Sequence, residues 1–112
     1  GAFPPRYMAS ALEGYPQAVE TTGTSEPTTT LLSNADGQAV TSAEDAMTKL
    51  VAQLTRPVRW DLCNETMRQL NITAIVEFPP AGALTGIAKR ELRGVATHAV
   101  KTPADLDGLT EL

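Results

Sequence analysis

Apolar positions along the chain change period several times, and each change marks an element. Residues 7–20 carry Met8, Ala11, Leu12, Tyr15, Ala18 and Val19 at helical spacing. Pro16 lies inside that pattern and should kink or shorten the helix. The following stretch, TTGTSEPTTT over 21–30, reads as a loop. Leu31-Leu32 and Ala39-Val40 flank Asp36-Gly37, a tight-turn signal between two short strands. Ser42 then caps a helix, with Asp45 in the place of a capping-box acid and Ala43, Met47, Leu50, Val51 and Leu54 as its apolar stripe. Pro57 should end that helix and open the next at its first turn. The next helix is expected to run to about Leu70, with Trp60, Cys63, Met67 and Leu70 on one side and Asn71 as its stop.

The second half changes character. Residues 72–78 are a short apolar run, rich in branched side chains and bounded by Pro79-Pro80. Little polar alternation predicts a strand buried on both faces, as in a parallel sheet. Leu84, Ile87, Ala88 and Leu92 mark a helix closed by Gly94, and Val95–Val100 is a second strand. Thr102-Pro103-Ala104-Asp105 combines a cap, a first-turn proline and a first-turn acid, and so starts a short last helix. Strand–helix–strand order over 72–112 predicts an α/β fold.

Composition narrows the class. The chain has 112 residues, room for one small domain, with 42% hydrophobic and 20% charged residues. That balance belongs to globular proteins. Nine basic against thirteen acidic residues give a net charge of −4, without blocks of one sign. Nucleic acid and anionic membrane surfaces are therefore not expected as partners. Cys63 is the single cysteine, which excludes an internal disulfide and fits a reducing compartment. No apolar run reaches the length of a membrane span, and Gly1-Ala2-Phe3-Pro4-Pro5 has neither the basic start nor the apolar stretch of a signal peptide. A cytoplasmic location is the expectation, and the sequons at Asn64 and Asn71 are then chance matches. A first residue that is Gly reads as an interior start: a fragment, a processed product or a misplaced gene boundary is expected.

Four motifs carry a resemblance. They are Gly1-Ala2-Phe3-Pro4-Pro5-Arg6-Tyr7-Met8, the Leu31–Gly37 segment LLSNADG, Gln53–Trp60 (QLTRPVRW), and Pro79–Leu92 (PPAGALTGIAKREL). In this order and spacing they resemble G-A-F-H-T-x-x-M, the S-N-x-D-G turn, a helix-to-helix junction and P-P-A-G-x-L-T-G-x-x-K-R of the malonyl-CoA:acyl-carrier-protein transacylase family. The resemblance implies the C-terminal part of a hydrolase-like α/β acyltransferase domain, one whose nucleophile-bearing part lies upstream of residues 1–112. It implies transfer of malonyl from coenzyme A to acyl carrier protein in fatty-acid biosynthesis. A serine in G-x-S-x-G attacks the thioester, a histidine takes its proton, and backbone N–H groups hold the oxyanion. An upstream arginine would pair with the malonyl carboxylate. No cofactor or metal is implied, malonyl-CoA being a substrate.

Against that scheme the catalytic set is incomplete. Ser10, Ser25, Ser33 and Ser42 all lie outside G-x-S-x-G. Ser42 reads as a helix cap and Ser33 as a turn residue. Pro4 stands at the family's histidine position, and proline offers no side chain that could accept a proton. His98 is the single histidine and lies far along the chain, so a structural or surface role is expected. Phe3 matches the bulky residue that in relatives goes with malonyl over its α-methyl analogue by filling space, and it reads equally as a plain core residue. Gln53 matches the residue whose backbone carbonyl orients the histidine in relatives, and Asn34 belongs to the turn near the site. Cys63 reads as a buried, inert thiol. Lys89, Arg90 and Arg93 fit a solvated helix face and could also meet an acidic carrier protein or a coenzyme A phosphate. The expected result is a segment inactive alone. The rival expectations are a non-catalytic module that docks acyl carrier protein or a partner subunit, and half of a split enzyme. A segment cut from a larger sheet would also expose a strand edge and apolar surface.

Overall fold

The computed structural model describes residues 9–112, so Phe3 and Pro4 lie outside the described residues. The chain divides into two compact units, Gly1–Thr66 and Met67–Leu112.

In the first unit the helical pattern near the start resolves into a 3-10 turn at Ala9–Glu13 and a helix α1 at Tyr15–Thr21. The break falls at Gly14, and Pro16 sits in the first turn of α1, where its missing N–H costs nothing. The hairpin predicted around Asp36-Gly37 is smaller than expected. A single antiparallel bridge, Leu32 to Ala39, replaces two strands. Local bonds consume the backbone instead: Gly37 N–H donates to Ser33 O at 2.8 Å, and Ser33 N–H to Gln38 O at 2.9 Å.

Helix α2 spans Ala43–Gln53. Ser42 caps it as read from the sequence, its hydroxyl accepting from Asp45 N–H at 3.0 Å. The Asp45 carboxylate reaches one residue further back than a capping box requires and accepts from Thr41 N–H at 3.0 Å. Leu50, placed on the apolar stripe, is 51% exposed. Pro57 does not open the next helix, because α3 starts at Trp60 and spans Trp60–Gln69. The intervening backbone is drawn off by the Leu31–Gly37 turn: Arg59 N–H donates to Asn34 O at 2.8 Å. Only after that contact do Leu62 and Cys63 N–H groups close on Arg59 O and start the helix.

Asn71 ends α3 in the left-handed region, with φ at 55°. Asparagine tolerates that conformation better than most side chains. The second unit is a βαβ crossover: β1 at Ala74–Glu77, α4 at Ala83–Glu91 and β2 at Ala96–Ala99. The strands pair in parallel, Ala74 with Ala96 through Glu77 with Ala99, so the α/β expectation holds. Ala88, Leu92 and Val100 form its buried apolar centre. The strand is not buried on both faces as predicted, since Val76 is 36% exposed and the adjoining Phe78 64% exposed. The expected last helix is a 3-10 helix, Pro103–Glu111, with the predicted cap: Asp105 Oδ2 accepts from Thr102 N–H at 2.9 Å. His98 pairs its Nε2 with Asp105 O and lies against Gly108, which fastens this helix to β2. Of the structural and surface roles expected for this histidine, the geometry gives it the structural one.

Glu77, at the end of β1, is 7% exposed and accepts from three backbone N–H groups at the start of α4: Gly82 at 2.9 Å, Leu84 at 3.0 Å and Thr85 at 2.9 Å. Burial pushes its pKa up, but the N–H groups of Thr85, Gly82 and Leu84 outweigh burial and hold it at about 2, against a usual 4.5. Its contribution is therefore complete above pH 4.5 and is lost as pH falls toward 2. Acid titration followed by circular dichroism should show the βαβ unit losing structure across that window. Glu77→Gln should remove this acid dependence and lower the thermal midpoint at neutral pH.

Gly37 is the tightest point of the first unit. Its φ is 70°, and a Cβ there would overlap the backbone and Cβ of Leu62. Strain in the left-handed region and overpacking each cost roughly 1–3 kcal/mol. Gly37→Ala should destabilise the first unit by about 3 kcal/mol or more in urea unfolding, whereas Gly23→Ala, with nothing within 4 Å, should leave the midpoint nearly unchanged.

Candidate functional site

Two residues singled out in sequence, Asn34 and Gln53, come together in the first unit. They line one pocket of about 140 Å³, floored by Leu31, Leu32, Val40 and Leu50 and bordered by Lys49. Asn34 is placed by the turn, whose Ser33 hydroxyl accepts from Ala35 N–H at 3.1 Å. This is the turn role expected for Ser33. Gln53 is placed by the end of α2. Its Nε2 donates to Arg56 O and to Pro57 O, both at 3.0 Å, so the side chain closes the helix exit on itself. The Gln53 carbonyl accepts from Arg56 N–H at 3.4 Å. The Gln53 side chain therefore has a structural task of its own, apart from anything its carbonyl does.

Lys49 was not singled out in sequence. Its Nζ lies 3.1 Å from both Asp36 and Asp45. Hydrogen bonds to Asp45 and Asp36 raise the lysine's pKa. The Gln38 N–H and Lys49 lower that of Asp36, and the Thr41 N–H and Lys49 lower that of Asp45. The triad ties the turn to α2 and fixes the pocket's width. The Asp45–Lys49 half of it is an i,i+4 pair readable from spacing. Asp36 is nine residues before Asp45 and joins only through the fold.

Cys63 lies behind the turn, 1% exposed, with Sγ 3.5 Å from Ser33 O and 3.4 Å from Asn34 Oδ1. Burial first, then Asp36 and Asp61, push its thiol pKa up. It has no imidazole beside it within these contacts, and it braces Asn34 from below. Asn64, absent from the sequence-based candidates, is also buried, at 4% exposed. Among the described residues no group of three or more His, Cys, Asp or Glu side chains is arranged to hold a metal ion.

No protein-family model matches the chain. A malonyl CoA-acyl carrier protein transacylase of Mycolicibacterium smegmatis is 65% identical to it over 116 residues, which takes in 100% of this chain and 40% of that protein. The malonyl CoA-acyl carrier protein transacylase of Mycobacterium tuberculosis is 62% identical over 112 residues, again across 100% of the chain and 37% of the relative. The chain is homologous to the C-terminal segment of these transacylases. It spans about two-fifths of the length of the curated transacylases it matches. The structures agree. The crystal structure of the transacylase from Mycobacterium tuberculosis matches with a TM-score of 0.90 and 63% identity, covering 97% of this chain and 36% of that one. A malonyl-CoA:acyl carrier protein transacylase from Synechocystis matches with a TM-score of 0.86 at 27% identity, over 97% of this chain and 37% of its own. The transacylase fold of this segment thus persists at low identity, and the α/β reading rests on both comparisons. Among the described residues no helix is long and apolar enough to cross a membrane.

The environment of Cys63 gives a direct check on the pocket. A neutral, buried thiol reacts only when the structure opens. With an aromatic disulfide reagent at pH 7.5, Cys63 should react orders of magnitude more slowly than in urea-unfolded chain. Rapid native-state labelling would mean that the turn does not cover α3 as described.

Proposed function

We propose that this chain is the C-terminal part of one acyltransferase domain, that of a malonyl-CoA:acyl-carrier-protein transacylase in fatty-acid biosynthesis, and that it does not transfer acyl groups alone. The observation that carries the reading is 62–65% identity to such transacylases across the whole chain. The pocket that joins Asn34 and Gln53 supports it. In this reading malonyl-CoA and acyl carrier protein are the substrate and partner, the serine-bearing part is supplied by another stretch of polypeptide, and the reaction takes place in the cytoplasm.

The roles within the site follow from side-chain chemistry. The nucleophile must be a serine whose proton is removed as it attacks the thioester carbonyl. None of the four serines here sits on a G-x-S-x-G elbow. Pro4 takes the position of the base and cannot accept the proton. The Gln53 carbonyl, which would orient an imidazole, then has none to hold. Phe3 retains the bulk that would select malonyl over a branched analogue.

Pro4 also favours a second reading, a module that docks acyl carrier protein or a partner subunit without catalysis. Lys89, Arg90 and Arg93, exposed at the end of α4, offer the positive charge such a partner would need.

Intact-mass spectrometry after incubation with malonyl-CoA, with and without acyl carrier protein, distinguishes these readings. The expected spectrum shows no covalent malonyl adduct. A stoichiometric adduct on one serine or on Cys63 would overturn the incomplete-site assignment. Measurable affinity for acyl carrier protein without acyl transfer would select the docking module.

A further inference from the structure

The first unit holds a second and larger concavity, a groove of about 620 Å³ between α1 and α2. Its floor is apolar. Ala43, Met47 and Val51 follow one another at four-residue spacing along α2, and Val19 faces them from α1. Four-residue spacing makes a continuous ridge, here about 12 Å long from the helical rise. Met47 is half-buried at its centre, and an unbranched thioether adapts to whatever packs on it.

The rim has one sign. Glu20, Glu26 and Glu44 line the groove, and among the described residues no lysine or arginine does. Glu26 is partly engaged, accepting from Ala43 N–H at 3.1 Å, while Glu20 and Glu44 are exposed. The single lysine of α2, Lys49, is held by Asp36 and Asp45 and borders the other pocket. Among the described residues, therefore, no cation in the groove neutralises its carboxylates. The remaining polar lining, Thr22, Thr24 and Thr48, is neutral, so an apolar ridge of helical length beside three carboxylates is complementary to a helix with an apolar stripe flanked by Lys and Arg.

We propose that the α1–α2 groove is a docking site for a basic amphipathic helix. The Ala43–Met47–Val51 ridge takes the apolar stripe. Glu20 and Glu44 meet cations on either side of it, and Glu26 closes one end. This site lies apart from the Asn34–Gln53 pocket and does not depend on the function proposed for it.

The test uses the whole chain and a dye-labelled Lys–Leu amphipathic peptide of about fourteen residues, near the length at which an isolated helix begins to hold. Fluorescence anisotropy should show saturable binding that weakens as salt rises. The methyl resonance of Met47 should shift on titration while that of Met67 stays. Glu20→Lys with Glu44→Gln should weaken binding at least tenfold. Thr48→Lys, an exposed groove-lining change that leaves the helix start intact, should do the same. The proposal fails if a Glu–Leu peptide of the same pattern binds as well, if both variants bind like the parent, or if Met47 does not respond. It also fails if sedimentation shows that a second copy of the chain fills the groove and excludes the peptide.

Discussion

The near-contact of the Leu31–Gly37 turn with α3 is the constraint on which the first unit depends. Gly37 lies so close to Leu62 that no side chain fits between them. The same seam carries the Arg59 N–H to Asn34 O bond, the Cys63 contacts with Ser33 and Asn34, and a 2.6 Å bond from the Thr66 hydroxyl to Gly37 O. The bonds at Cys63, Ser33, Gly37 and Thr66 satisfy polar groups on buried or half-buried residues, which would otherwise be stranded. Together they fix where Asn34 stands, and the Lys49 triad then sets its distance from α2 and Gln53.

The second unit rests on a different device. Two parallel strands of four residues cannot stabilise each other alone. Helix α4 covers them, and the Glu77 carboxylate joins the end of β1 to the start of that helix. Val76, Phe78 and Leu106 stay open to solvent in this unit. Those exposures match a segment that makes up about two-fifths of its relatives. They also account for why the strand pattern, apolar on both faces, overstates the burial seen here.

Much of this was legible in advance, and the reasons are local. Ser42, Thr102 and Asn71 act within three or four residues of themselves, so their capping and stop roles could be read directly. The parallel βαβ order followed from an unbroken apolar run before a helical period. What escaped was non-local. Pro57 looked like a helix start because the pull of Asn34 O on Arg59 N–H, across 25 positions of chain, leaves no trace in spacing. The short strands around Asp36-Gly37 yielded to hydrogen bonds within the turn. Asp36 joined Lys49, and Asn64 was buried, for reasons that only the packed helices supply. Within the candidate site, Asn34 and Gln53 were found by motif and not by pattern.

Glu77 has a consequence for how an anionic ligand could be met. The amino end of a helix behind a parallel strand is the customary cradle for phosphate, because its N–H groups point outward with the positive end of the helix dipole. Here the chain supplies its own anion, and three of those donors are already taken. The α4 terminus is therefore self-sealed. A phosphorylated ligand approaching this unit would find its counter-charges on side chains such as Lys89, Arg90 and Arg93 at the opposite end of the helix. Selectivity would then be set by flexible cations that substitution can tune, and not by rigid backbone geometry.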